Sequence, residues 1–424
     1  MLDENVMNNK GLHIHLLSTP KYKTTTIALQ IRSNLSRETA TERALLTQVL
    51  KSATKSLPSR KEIRRYLDEL YGASFSADVQ KKGEQHIISL KMELANEKYL
   101  RDTTPLFEKG LHFLREVVEE PSFESDHTFS EKVIHEEKRT LKQRLHSIYD
   151  DKIRYANQRL LEIMCEDEPF SVHPFGILER VDQITNEDLI NEYKRMLNED
   201  DFRLYIVGDV SEEEVQKASN TFTIQSRESS NFSTRPSPIK REETQEVKET
   251  DDIQQGKLHL GYRTSITFDD DNFTAMQVLN GLFGGFPHSK LFLNVREKES
   301  LAYYAASRYE SHKGLVLVFA GIEASNYEKA MKIIDEQLVD IQEGQFSEEA
   351  IKQTKSMLKN QLLETADSAR GVIELYYQGI IGNKKRNLDD WLQEIEKVTR
   401  EDVISCAREL HLDTRYFLHG KESN

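Results

Sequence analysis

The sequence predicts an α+β fold built from two related domains. Three observations carry that expectation: strand-like and helix-like periods mix within each half, matched strings recur in both halves, and a polar stretch divides the chain just past its midpoint. In the first half, residues 25–32 and 85–92 alternate apolar and polar side chains and read as strands. Residues 42–55, 60–70, 105–118 and 129–146 carry the period of helices. In the second half, strands are expected at 257–262, 302–308 and 314–321, and helices at 273–283, 327–343 and 347–365. Strands mixed with long helices point to helices layered on a sheet.

The halves resemble each other in detail. Val181, Ile184, Thr185, Glu187, Asp188 and Ile190 are matched 214 residues later by Ile395, Val398, Thr399, Glu401, Asp402 and Ile404. Each set opens a helix, with threonine at the N-cap and acids in the first turn. A short β-rich run follows each, at 203–208 and 415–420. Upstream, Phe129, Ser130, Glu131, Ile134 and Lys138 recur 217 residues later as Phe346, Ser347, Glu348, Ile351 and Lys355. Three matches in one order predict an internal duplication. Between the halves, proline and serine gather at 226–238 and charges at 240–252. Such a segment buries too little apolar surface to offset its ordering entropy. Residues 226–255 are therefore expected to link an N-terminal domain, 1–225, to a C-terminal domain, 256–424.

Composition narrows the function. The chain carries 58 Lys+Arg against 72 Asp+Glu, a formal net charge of −14. That balance argues against nucleic-acid binding, which relies on cations that displace phosphate counterions. Cys165 and Cys406 supply neither a disulfide framework nor a cysteine zinc site. The polar first ten residues lack the apolar core of a secretory signal, and no apolar run is long enough to span a bilayer. A cytoplasmic protein with no membrane partner is the expectation.

The most specific string is Ser289-Lys-Leu-Phe292 followed by Val295-Arg-Glu-Lys-Glu-Ser-Leu-Ala-Tyr303. It resembles the S-R-L-F…R-E-K-R-G-L-A-Y signature of the pitrilysin/insulinase family of zinc metallopeptidases, nearest its small bacterial and mitochondrial-processing-peptidase-like members. Phe283-Gly-Gly-Phe286 resembles the turn before that signature. Residues 60–72 resemble the helix after the family's metal motif, Val133-Ile-His-Glu-Glu137 the helix of its distal metal ligand, and His173-Pro-Phe-Gly176 its H-P-x-G element. The likeness runs in order along essentially the whole chain. It implies two α/β-roll domains, each an antiparallel sheet with helices packed on it.

The metal motif itself departs from the family. Active members carry H-x-x-E-H on a helix, so that two imidazoles at i and i+4 reach one zinc and the glutamate serves as general base. Alignment back from 61–63 places that pentapeptide on Leu45-Leu-Thr-Gln48-Val49. Both histidine positions are apolar, Leu45 and Val49, and the base position is Gln48, which takes up no proton at neutral pH. The distal carboxylate falls on Glu137, with Glu136 as the alternative. One carboxylate does not make a catalytic zinc site, which needs three protein ligands and an open position. No bound metal or other cofactor is expected in this chain, and none of its residues is expected to be catalytic on its own.

Arg296 and Tyr303 are the strongest remaining pair. The resemblance implies that they hold a substrate backbone and stabilise an oxyanion at a site in the first half. The plainer reading makes Arg296 one side of a structural ion pair and Tyr303 or Tyr304 core packing. His13 and His15 share a strand face with no third ligand and read as a surface pair on an edge strand. His135 beside Glu136 reads as a solvated helix face, because adjacent helical side chains diverge. Gly284 and Gly285 lack the Lys-Ser/Thr of a phosphate loop and read as a tight turn before a helix. The resemblance thus implies an inactive homologue that acts as the non-catalytic, peptide-binding subunit of a hetero-oligomeric zinc peptidase. Its partner would carry H-x-x-E-H, and the zinc would lie in that partner alone. The alternative is a non-enzymatic scaffold of the same fold. An enzyme of altered chemistry lacks any nucleophile–base pair or alternative metal cluster in the sequence.

Overall fold

The computed structural model describes residues 3–9, 11–101, 104–124, 127–224, 232, 241 and 243–421. It divides into two compact units. The N-terminal unit comprises Met1–Ser147, Val172–Phe232 and Ser368–Glu374, and the C-terminal unit comprises Ile148–Ser171, Ser233–Asp367 and Leu375–Asn424. Neither is one continuous stretch of chain.

The N-terminal unit holds strands β1 (Asn5–Asn9), β2 (Leu12–Ser18), β3 (Thr24–Asn34), β4 (Ser74–Lys82), β5 (Gln85–Ala95) and β6 (Asp201–Gly208), in the order β1-β2-β6-β3-β5-β4. The C-terminal unit holds β7 (Gln245–Asp251), β8 (Gly256–Arg263), β9 (Ala302–Glu310), β10 (Leu315–Ile322) and β11 (His411–Gly420), in the order β7-β11-β8-β10-β9. Without β1, the two orders correspond strand for strand. The duplication read from short strings is therefore a duplication of topology.

The sheets are not wholly antiparallel, which corrects that expectation. β2 pairs with β6 in parallel, and β7 with β11; the remaining pairings are antiparallel. In each unit the last strand inserts between two strands that run in opposite directions, so it must run parallel to one of them.

The expected linker, 226–255, needs a second correction. Residues 226–231, 233–240 and 242 lie outside the described residues, but Gln245–Asp251 is strand β7. Its side chains are charged or polar apart from Val247, so its sequence carries no apolar alternation. Backbone pairing to β11 and the Glu249 carboxylate hold it instead. Glu249 accepts hydrogen bonds from Arg159 at 2.7 Å and from Tyr416 at 2.8 Å.

The C-terminal sheet is covered on both faces. Leu160, Leu161 and Met164 of helix Lys152–Met164 meet Leu315, Leu317 and Tyr416. On the other face Leu260, Val316 and Val318 join the core formed with helices Phe273–Asn280 and Tyr327–Gln342. Alternate residues of one strand thus enter two cores, as its two-residue period requires.

Candidate functional site

The residues expected at a metal centre lie in the N-terminal unit on helix Ala40–Ser52, which is buried on nearly every side. Its position is set by a polar network. Arg43, fully buried, donates to His86 Nδ1 at 3.0 Å, to Asp200 at 2.5 Å and to Glu192 at 3.2 Å. Arginine can only donate, so His86 Nδ1 accepts and the ring proton sits on Nε2, 2.8 Å from the Pro174 carbonyl oxygen. Burial, with the Arg43 charge second, lowers the His86 pKa to about 3. Pro174 belongs to the H-P-x-G element, whose Gly176 holds φ at +81°; a Cβ there would meet Thr41 Cα at 2.4 Å. The element therefore packs directly on the start of the site helix.

On that helix Leu45, Gln48 and Val49 are all buried. Glu137, on helix Glu131–Asp150, is 1% exposed. Glu136 is exposed, so burial favours Glu137 as the distal carboxylate. Its Oε1 accepts from Ser52 Oγ, one turn beyond Gln48, at 2.6 Å and forms an ion pair with the Arg60 guanidinium. Arg60 Nε in turn donates to Ser52 Oγ at 3.2 Å. Arg60 opens helix Arg60–Glu69, whose N-cap Ser59 accepts from the Glu62 backbone N–H. Lys51 lies close by. Burial, with the Arg144 and Arg60 charges adding, lowers its pKa, while Asp78 raises it.

These residues do not fit zinc. Leu45 and Val49 offer no donor atom, and one oxygen of Glu137 is engaged by an arginine. No group of three His, Cys, Asp or Glu side chains able to hold a metal occurs among the described residues. The sequence pattern assigned no role to Arg60 or Ser52. The only available signal was a cation and a hydroxyl close behind the degenerate motif.

Arg296 and Tyr303 lie in the C-terminal unit and share one open groove of about 560 Å³, lined also by Glu297, Ser300 and Glu323. Tyr303 is 78% exposed, so it is not core packing. Arg296 lies over the Phe292 ring at 4.6 Å and 3.5 Å from Glu297. Between the pair the chain turns at Ser300, with φ +50°, where the family signature has glycine. Upstream, Gly284 lies against β9: a Cβ there would come within 2.5 Å of Ser307 N. The expected tight turn at Gly284 and Gly285 is instead a wide helical turn, Gly281–Gly285, that continues helix Phe273–Asn280. Glycine is needed for close approach rather than for reversal of the chain.

Residues 183–358 match the family model described as the peptidase M16 inactive domain. Across 412 residues the chain is 47% identical to the probable inactive metalloprotease YmfF of Bacillus subtilis, covering 97% of this chain and 96% of that one. It belongs to the M16 family of metallopeptidases. A conserved protein from Enterococcus faecalis has the same fold, with a TM-score of 0.93 at 34% identity over 99% of both chains. A peptidase M16 inactive domain from Pseudomonas fluorescens follows with 0.81 at 15% identity over 100% and 99%, a likeness of fold alone. The chain is thus an inactive M16 homologue, as its signature string and degenerate motif led one to expect.

The M16 duplication extends to the site. Glu137 corresponds, 217 residues on, to Thr354, on helix Glu348–Ala366. Where Glu137 meets Ser52 and Arg60, Thr354 Oγ1 lies 2.8 Å from His288 Nε2. The histidine pair of the N-terminal sheet is not the expected surface pair. β1 covers β2, and His15 is buried, stacked on Tyr205 at 4.4 Å, with Nδ1 2.8 Å from Glu4. β1, with three asparagines in five residues, is too polar to read as a strand from sequence. His135 and Glu136 do lie on an exposed helix face. Cys165 and Cys406 are both buried, and no helix among the described residues is long and apolar enough to cross a membrane.

Proposed function

We propose that this chain is the non-catalytic, peptide-binding subunit of a hetero-oligomeric zinc peptidase. One observation carries the reading: Arg296 and Tyr303 share an open groove, whereas the metal-motif positions Leu45 and Val49 are apolar. A chain that retains cationic and phenolic donors but no ligand set fits the binding half of a composite centre. The partner is an M16 homologue with an intact H-x-x-E-H, and zinc resides there. Peptide binds extended, as a strand added to a sheet edge. β9 is one such edge, and its first residues, Ala302 and Tyr303, line the groove.

The test is a peptidase assay of the purified chain, alone and mixed with an H-x-x-E-H relative from the same cell, with zinc quantified in each. Activity is expected only in the mixture, with zinc tracking the relative. Arg296→Ala or Tyr303→Phe should then lower turnover at least about tenfold while the pair stays associated. Unchanged turnover refutes the reading. If no complex forms and no activity appears, the chain is a scaffold of the same fold.

A further inference from the structure

We propose that Arg60 is the built-in cation of the degenerate centre, and that its guanidinium bars a metal ion from Glu137. The argument starts from burial. A carboxylate at 1% exposure needs a counter-charge, and losing the two histidine positions to Leu45 and Val49 removes the one a metal would supply. Arg60 restores it by pairing with Oε1, while Ser52 donates to the same oxygen at 2.6 Å and receives Arg60 Nε at 3.2 Å. The three groups form a closed triangle, and the Ser59 cap fixes its cationic corner at the start of a helix. Glu137 Oε2 is buried with no hydrogen-bond partner, so Arg60 and Ser52 engage only one oxygen of the carboxylate. Two changes therefore separate this centre from a metal site: donors are missing, and a resident cation is present. Restoring the donors alone leaves the cation in place. The inference concerns this chain alone and does not depend on the subunit reading above.

Two variants decide it. Leu45→His with Val49→His restores both imidazoles, and Arg60→Ala added to that pair removes the guanidinium as well. Zinc is measured after dialysis, and cobalt is used as a probe for its tetrahedral absorption bands. The triple variant should hold one zinc per chain and the double variant far less. Equal loading of both variants overturns the proposal, as does failure of both to load. A second measurement uses milder changes. Arg60→Ala should lower the thermal midpoint by about 3–8 °C, and the loss should vanish in a Glu137→Gln background, where no charge is left to compensate. An equal loss in both backgrounds overturns it.

Discussion

Ser300 holds a left-handed backbone between the two groups that define the groove, at φ +50°. An L-residue there is disfavoured by roughly 1 kcal/mol, because its Cβ crowds the following carbonyl. Ser300→Gly should raise unfolding free energy by about 0.5 kcal/mol, the strain relief being partly offset by a freer unfolded chain. Chemical denaturation checks the sign, and a loss of stability would mean that the Ser300 side chain contributes more than its backbone costs. At this scale the sequence was poor at replacements. Leu45, Gln48 and Val49 were reached only by alignment back from 61–63 to the family motif, and all three are buried on one helix. Arg60 could not be assigned to Glu137, because the pair is 77 residues apart and only the packed helices bring them together.

Between elements, contact distance dominates. Gly284 lets the helical turn Gly281–Gly285 lie on the β9 backbone, and Gly284→Ala forces a Cβ to within 2.5 Å of Ser307 N. Backbone cannot swing aside as a side-chain tip can, so the substitution should cost about 1–3 kcal/mol. Thermal unfolding measures it, and a cost near zero would mean that the turn slides without penalty. Elements with strong periods were legible: the expected helices at 60–70 and 347–365 are Arg60–Glu69 and Glu348–Ala366. β7 was not legible, since an edge strand of alternating charge looks like a solvated tether. Nor was β1, whose three asparagines around Val6 and Met7 gave no sign that it would cover His15.

For the molecule as a whole, buried neutral histidines set the response to acid. Burial is the first cause that lowers His86, His173 and His259 from 6.5 to about 3, and the first and last lie in different units. Below pH 6.5 the unfolded chain takes up protons at these sites that the folded chain refuses, so stability falls with pH until about 3. It is constant above 6.5 as far as these groups are concerned. Each site contributes a slope of up to about 1.4 kcal/mol per pH unit. Urea midpoints measured from pH 8 to pH 5, above most carboxylate titration, should show the decline. His259 packs edge-on to Phe319, and His259→Leu should remove one proton's share of the slope. An unchanged slope would place the proton uptake elsewhere.

The interleaving of the two units bears on how the chain emerges during synthesis. The N-terminal unit includes Ser368–Glu374, and the C-terminal unit includes Ile148–Ser171. Helix Lys152–Met164 is thus made before the strands whose apolar side chains cover its Leu160 and Met164, and it waits until β10 and β11 exist. β11 lies in the interior of its sheet, between β7 and β8, yet it follows the other strands of that sheet along the chain. A gene divided at the midpoint would leave Leu160 and Met164 bare on one fragment and a matching gap on the other. No single cut along the chain releases either unit whole.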